Sequence, residues 1–185
     1  MKDELEKALS DEFSFMRRGL SAKEQKEQYG GVYDLYSAWG LQMCDGWFDL
    51  IRDMCTEITE AYKAAGEPVD IVVDQAKEKW GTLRFYWRPR GQKITFHAFD
   101  SLDGGPSMRV RPGFSAVHQK VGEIVSKYEK QSAYVCEACG ASGSLRTDLG
   151  RVQTLCEEHY QILLKKMKQS SYASKAIPLS CRPNL

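Results

Sequence analysis

The chain has 185 residues, 42% of them hydrophobic and 28% charged, with a formal net charge of +1. This composition excludes a disordered chain, and no apolar run approaches the roughly 18 residues that a membrane helix needs. The start, Met-Lys-Asp-Glu-Leu-Glu-Lys, is polar with no apolar core behind it. A cytoplasmic protein is therefore expected, in which clustered cysteines are metal ligands before they are disulfides.

The charge is unevenly spread. Residues 1–60 hold thirteen Asp or Glu against seven Lys or Arg, whereas residues 77–111 hold eight basic residues against Glu78, Asp100 and Asp103. Such a bipolar field steers association without being a site in itself.

In chain order, Leu5, Leu9, Phe13 and Met16 repeat at helical spacing and predict a helix over 3–18, closed by Arg17 and Arg18 before Gly19. Residues 21–39 predict a short helix or a packed loop. The strongest helical pattern covers 41–65, with Cys44, Trp47, Phe48, Ile51, Met54, Cys55, Ile58 and Tyr62 on one stripe and Gly66 and Pro68 ending it. Cys44 and Cys55 then read as core thiols on a shared buried face.

The pattern next turns to strands. Residues 69–75, 82–87 and 93–99 are rich in β-formers, and 108–110 adds a short edge. Trp80-Gly81 sits where a hairpin turn falls, although Lys77 to Lys79 also suit a helix. Residues 114–130 return to a helix with Val117, His118, Val121, Ile124, Val125 and Tyr128 on one face. His118 there reads as a satisfied core or boundary histidine, and His97 likewise. The expected fold is α+β: a three- to four-stranded antiparallel sheet packed with amphipathic helices over 1–132, a zinc module over 133–168, and a loosely ordered tail over 169–185.

The firmest chemical signal is Cys136-Glu-Ala-Cys139-Gly140, with sixteen residues between Cys139 and the second pair, Cys156-Glu-Glu-His159. Two residues between cysteines let both sulfurs face one metal, and Gly140 lets the backbone turn under it. Cys156 stands at a helix start with His159 one turn on, facing the same way. Segments around Asp148-Leu-Gly150 can form a hairpin between the pairs. Knuckle, hairpin and ligand-bearing helix make a treble-clef-like order. Three thiolates and one imidazole form a closed set, so one structural Zn²⁺ is expected.

No catalytic constellation accompanies it. No histidine lies between Cys139 and Cys156, as a treble-clef nuclease needs, and neither Cys136-Glu137 nor Cys156-Glu157 supplies a deaminase site with an open position. A nucleophile elbow, P-loop and dinucleotide fingerprint are all missing. The expectation is a non-enzymatic protein that binds a partner. Trp80, Arg84, Tyr86 and Trp87 are candidate anchors. Asp3, Glu4, Asp11 and Glu12, with Asp45, Asp49, Asp53, Glu57 and Glu60, form acidic faces suited to a basic partner. The alternative is a zinc-ribbon-type nucleic-acid binder using Arg84, Arg88, Arg109 and Arg111.

Three stretches carry a resemblance: Gly46-Trp-Phe-Asp-Leu-Ile51, then Lys77-Glu-Lys-Trp-Gly-Thr-Leu-Arg-Phe-Tyr86, and Cys136-x-x-Cys139-Gly140 with Thr154-Leu-Cys-Glu-Glu-His159. Over residues 40–160 the chain resembles small zinc-binding proteins encoded by phages and prophages, which implies zinc on Cys136, Cys139, Cys156 and His159. In size, metal and general character it also looks like a zinc-containing type II-A anti-CRISPR protein. That implies binding to Cas9 and a block on its use of target DNA.

Overall fold

The structure is a computed structural model that describes residues 1–19, 35–91 and 115–170. The strands expected at 93–99 and 108–110, His97, Arg109, Arg111, Cys181 and the tail after Ser170 lie outside the described residues.

The fold is α+β. Helix α1 (Asp3–Glu12) is shorter than expected: Phe13 is extended at φ −121°, and Ser14–Met16 form a single 3-10 turn. The apolar repeat still works, because Leu9, Phe13 and Met16 are all buried. A short helix α2 (Leu35–Trp39) follows and ends at Gly40, whose φ is +61°.

The helix expected over 41–65 starts only at Phe48. Before it, strand β1 (Leu41–Gln42) runs parallel to a later strand, and Asp45–Trp47 form a 3-10 turn. The buried Glu6 carboxylate causes part of this: its Oε1 accepts from Leu41 N at 2.7 Å, holding the chain extended where periodicity alone favours a helix. Cys44 consequently lies outside the helix. It shares no helical stripe with Cys55 and is disulfide-bonded, so the reading of two core thiols holds for Cys55 alone.

Helix α3 (Phe48–Ala65) buries Leu50, Ile51, Met54, Cys55, Ile58 and Tyr62. Gly66 ends it in the left-handed region at φ +70°, where Glu67 N reaches back to Tyr62 O at 3.0 Å. Strand β2 (Ile71–Lys79) then pairs antiparallel with β3 (Thr82–Pro89), so Lys77 to Lys79 are strand rather than helix. A bulge between Val73 and Gln75 lets both Val73 and Ala76 face the core.

With β1 parallel to β2, the sheet is mixed rather than wholly antiparallel, in the order β1-β2-β3. Helix α4 (Ala116–Gln131) packs Val117, Val121, Ile124, Val125 and Tyr128 into the same core as α3 and the sheet. Trp47, Ile51, Met54, Ile58, Tyr62, Leu83, Phe85 and Trp87 fill its centre.

The C-terminal segment has its own small hairpin, β4 (Ser144–Arg146) against β5 (Gln153–Leu155), followed by helix α5 (Glu157–Ser170). The hairpin and helix follow the order expected from sequence. Among the described residues no helix is long and apolar enough to cross a membrane.

Candidate metal centre

A tight knuckle presents the first ligand pair. Cys136 N donates to Ala141 O and Gly140 N donates to Cys136 O, both at 2.8 Å, and Gly140 takes φ +79° to close the turn. The second pair comes from the start of α5, where Tyr160 N donates to Cys156 O at 3.0 Å. That first turn puts Cys156 and His159 on one side. The Cys156 thiol pKa is lowered, first by a backbone hydrogen bond at His159 and then by the His159 ring, while that of Cys139 beside it, against a backbone hydrogen bond at Ala141, is raised by burial and its thiol neighbours. A thiol placed as that of Cys156 gives up its proton readily to a metal.

The four donor atoms lie within 4.8 Å of one another, so Cys136, Cys139, Cys156 and His159 can hold one metal ion. Tetrahedral coordination with metal–sulfur bonds of about 2.3 Å needs sulfurs about 3.8 Å apart, and sulfur–nitrogen gaps of about 3.5 Å. Cys139 Sγ and Cys156 Sγ are 3.8 Å apart, while His159 Nδ1 lies 3.9 Å from Cys136 Sγ and 3.1 Å from Cys156 Sγ. The donor set therefore fits a tetrahedral ion, with Nδ1 as the ring ligand.

The knuckle is seated on the main domain. Gly46 N donates to Glu137 O at 3.0 Å, and the buried Trp47 indole donates to Val135 O at 2.9 Å. A Cβ on Gly46 would stand 2.4 Å from Cys136 O and 2.5 Å from both Cys139 N and Gly140 N. Sequence reasoning missed this support, since nothing local to Gly46-Trp47 points to a knuckle 88 positions away.

Glu137, only 1% exposed, ties the hairpin together from inside: its Oε1 accepts from Gln153 and from Arg151, the latter at 3.0 Å. Burial pushes its carboxyl upward. On the outer side, Arg146 lies 4.1 Å over the Tyr160 ring and donates to Glu157 at 2.9 Å, fastening α5 to β4.

The candidate partner-binding residues fare unevenly. Asp49 and Asp53 are exposed on α3. Asp45 is engaged with Lys2 at 3.0 Å, and Glu57 with Lys127 and Tyr128. Trp80 is exposed at the β2–β3 turn, with Arg84 on the same hairpin, whereas Tyr86 and Trp87 are buried. Arg88 is taken up by Asp74 at 2.9 Å.

A polar network around His118 has partners that sequence reasoning did not name. Its Nε2 is 2.9 Å from Asp70 Oδ1, its Nδ1 is 3.0 Å from Ser115 Oγ, and Tyr62 OH donates to Asp70 Oδ1 at 2.7 Å. Ser115 also caps α4 by accepting from His118 N. The network joins α3, the start of β2 and α4, as a satisfied boundary histidine does. Burial pushes the Asp70 carboxyl up, but hydrogen bonds from Tyr62 and His118 outweigh it and hold the carboxyl below its ordinary value. A depressed carboxyl adds stability above the ordinary range and loses it as pH falls through the folded value. Asp70→Asn is thus expected to lower the urea midpoint near neutral pH, with the gap from wild type closing below about pH 4. Equal midpoints at neutral pH would remove the assigned role.

No family model, no curated protein and no solved structure matches this chain.

Proposed function

We propose that this chain is a non-enzymatic zinc protein in which the metal shapes a treble-clef-like module, and that it acts by binding and disabling a bacterial defence protein, with Cas9 the first partner to test. The observation that supports a shaping role is the closed donor set: four protein ligands within 4.8 Å, matched to tetrahedral spacing. Three thiolates and one imidazole favour zinc over harder ions, and a filled tetrahedron leaves no position for a reacting water.

The choice of partner class rests on the three stretches that resemble phage and prophage zinc proteins. Charge sets the expected mode of approach. Asp49 and Asp53 stand exposed on α3, and acids so placed speed and orient docking onto a basic surface more than they fix affinity.

The test is co-elution of the tagged, metal-loaded chain with purified Cas9, with and without guide RNA, alongside a target-cleavage assay. Co-elution and blocked cleavage are expected, and an Asp49→Lys/Asp53→Lys variant should associate more slowly at low salt with little change in dissociation. Separate elution and undiminished cleavage would overturn Cas9 as the partner.

A further inference from the structure

We infer that the tip of the β2–β3 hairpin is a binding site for single-stranded nucleic acid, with the Trp80 indole as a stacking platform and Arg84 and Lys79 meeting phosphates. This goes beyond the defence-protein reading and rests on a different observation.

Trp80 and Gly81 form a two-residue turn between the paired Lys79 and Thr82, with φ of +57° and +73°. Turns with positive φ at both positions favour Asn, Asp or Gly. Trp80 is the one non-glycine residue with positive φ among the described residues. A bulky side chain there is strained, and burial does not offset the strain, since Trp80 is 47% exposed. Folding would be better served by asparagine. A strained, exposed aromatic is the kind of outlier that points to a ligand.

The tip is also held rigidly. Gly81 N donates to Glu78 Oε1 at 2.7 Å, and Gly81 O accepts from Thr154 Oγ1 at 2.6 Å. A Cβ on Gly81 would meet Leu145 Cδ1 at 2.5 Å, so the metal-bearing module presses directly against the turn. The indole is thereby presented on a fixed support, which lowers the ordering cost of binding.

The charges beside it suit a polyanion. Lys77 stands opposite Arg84, and Lys79 opposite Thr82, so three cations share one face running up to the tip. Lys77 Nζ itself lies 5.5 Å over the Tyr86 ring, so Arg84 and Lys79 are the cations nearer the tip. Arg84 is steadied by donating to Thr82 Oγ1 at 2.6 Å and Leu83 O at 2.9 Å, and no carboxylate among the described residues pairs with it. Sequence-tolerant single-strand sites combine an aromatic platform with cations that track the backbone in this way.

The test uses fluorescein-labelled oligo(dT) and oligo(rU) titrated with the metal-loaded full chain, read by anisotropy and by indole emission. Wild type should bind at low salt with quenched emission. Trp80→Ala should weaken binding at least about tenfold. Trp80→Asn should weaken it equally while raising the urea midpoint, because asparagine suits the turn. Arg84→Gln should reduce the salt slope by about 0.7. Trp39→Ala, which removes an exposed indole from α2, should change nothing. Unchanged affinity in Trp80→Asn would overturn the site, as would no binding of either oligonucleotide to wild type at low salt. A protein partner that needs Trp80 when neither oligonucleotide binds would overturn it too. None of these readouts depends on Cas9.

Discussion

Replacing Cys139 with serine should cost the protein its bound metal and unfold the C-terminal module. Cys139 is an exposed side chain, and exposed substitutions ordinarily change stability by less than about 0.5 kcal/mol. A large loss at such a position has to come from a lost ligand bond. The module cannot absorb that loss, because its own apolar cluster is small: Cys136, Leu149 and Leu155 are its buried members, and its strands are three residues each. Structural zinc in modules of this size contributes about 10 kcal/mol or more of apparent folding free energy, well above what so small a core supplies. Elemental analysis should find one zinc per wild-type chain and much less in Cys139→Ser. Urea unfolding followed by circular dichroism should show the module lost. Cys55→Ala is the control: Cys55 is buried in the main core, so the change should cost about 1 kcal/mol and leave metal content unchanged. A folded, metal-free wild-type protein, or a Cys139→Ser variant as stable as wild type, would refute the assignment.

The candidate ligands were legible because their chemistry is local. Two residues between Cys136 and Cys139, and a single helical turn between Cys156 and His159, bring each pair together whatever the rest of the chain does. Helices α3 and α4 were legible for a similar reason: their apolar stripes persist over several turns, and Gly66 ends the first with a positive φ that its sequence position announces. The turn at Trp80-Gly81 was also placed correctly.

What escaped was set by distant partners. Residues 41–47 carry a helical apolar pattern, yet Glu6 holds Leu41 N and the parallel partner Ala76 fixes β1. Neither is visible from the local sequence. His118 read as satisfied, but Asp70, which satisfies it, sits 48 positions earlier. Among the aromatics, periodicity could not separate Trp87, buried in the core, from Trp80, left out at the turn. The difference arises from the bend of the hairpin and the docking of Leu145 beneath Gly81.

Gly46→Ala is expected to weaken metal retention although residue 46 touches no metal ligand through a side chain. The added methyl group would have backbone on three sides, at 2.4 Å from Cys136 O and 2.5 Å from Cys139 N and Gly140 N. Backbone atoms cannot rotate away as a flexible side chain can. Either the knuckle moves or the Asp45–Trp47 turn does, and both are tied, since Gly46 N donates to Glu137 O and Trp47 Nε1 donates to Val135 O. Overpacking of this kind costs about 1–3 kcal/mol or more. Here the strain falls on the loop that spaces two of the four ligands, so part of the cost should appear as faster metal loss to a competing chelator. Gly66→Ala separates this effect from ordinary backbone strain. Gly66 also has a positive φ of 70°, but nothing lies within 4 Å of its Cβ position. It should lose about 1 kcal/mol of stability and keep wild-type chelator resistance. If Gly46→Ala and Gly66→Ala released metal at the same rate as wild type, the main domain would not be what holds the knuckle in shape.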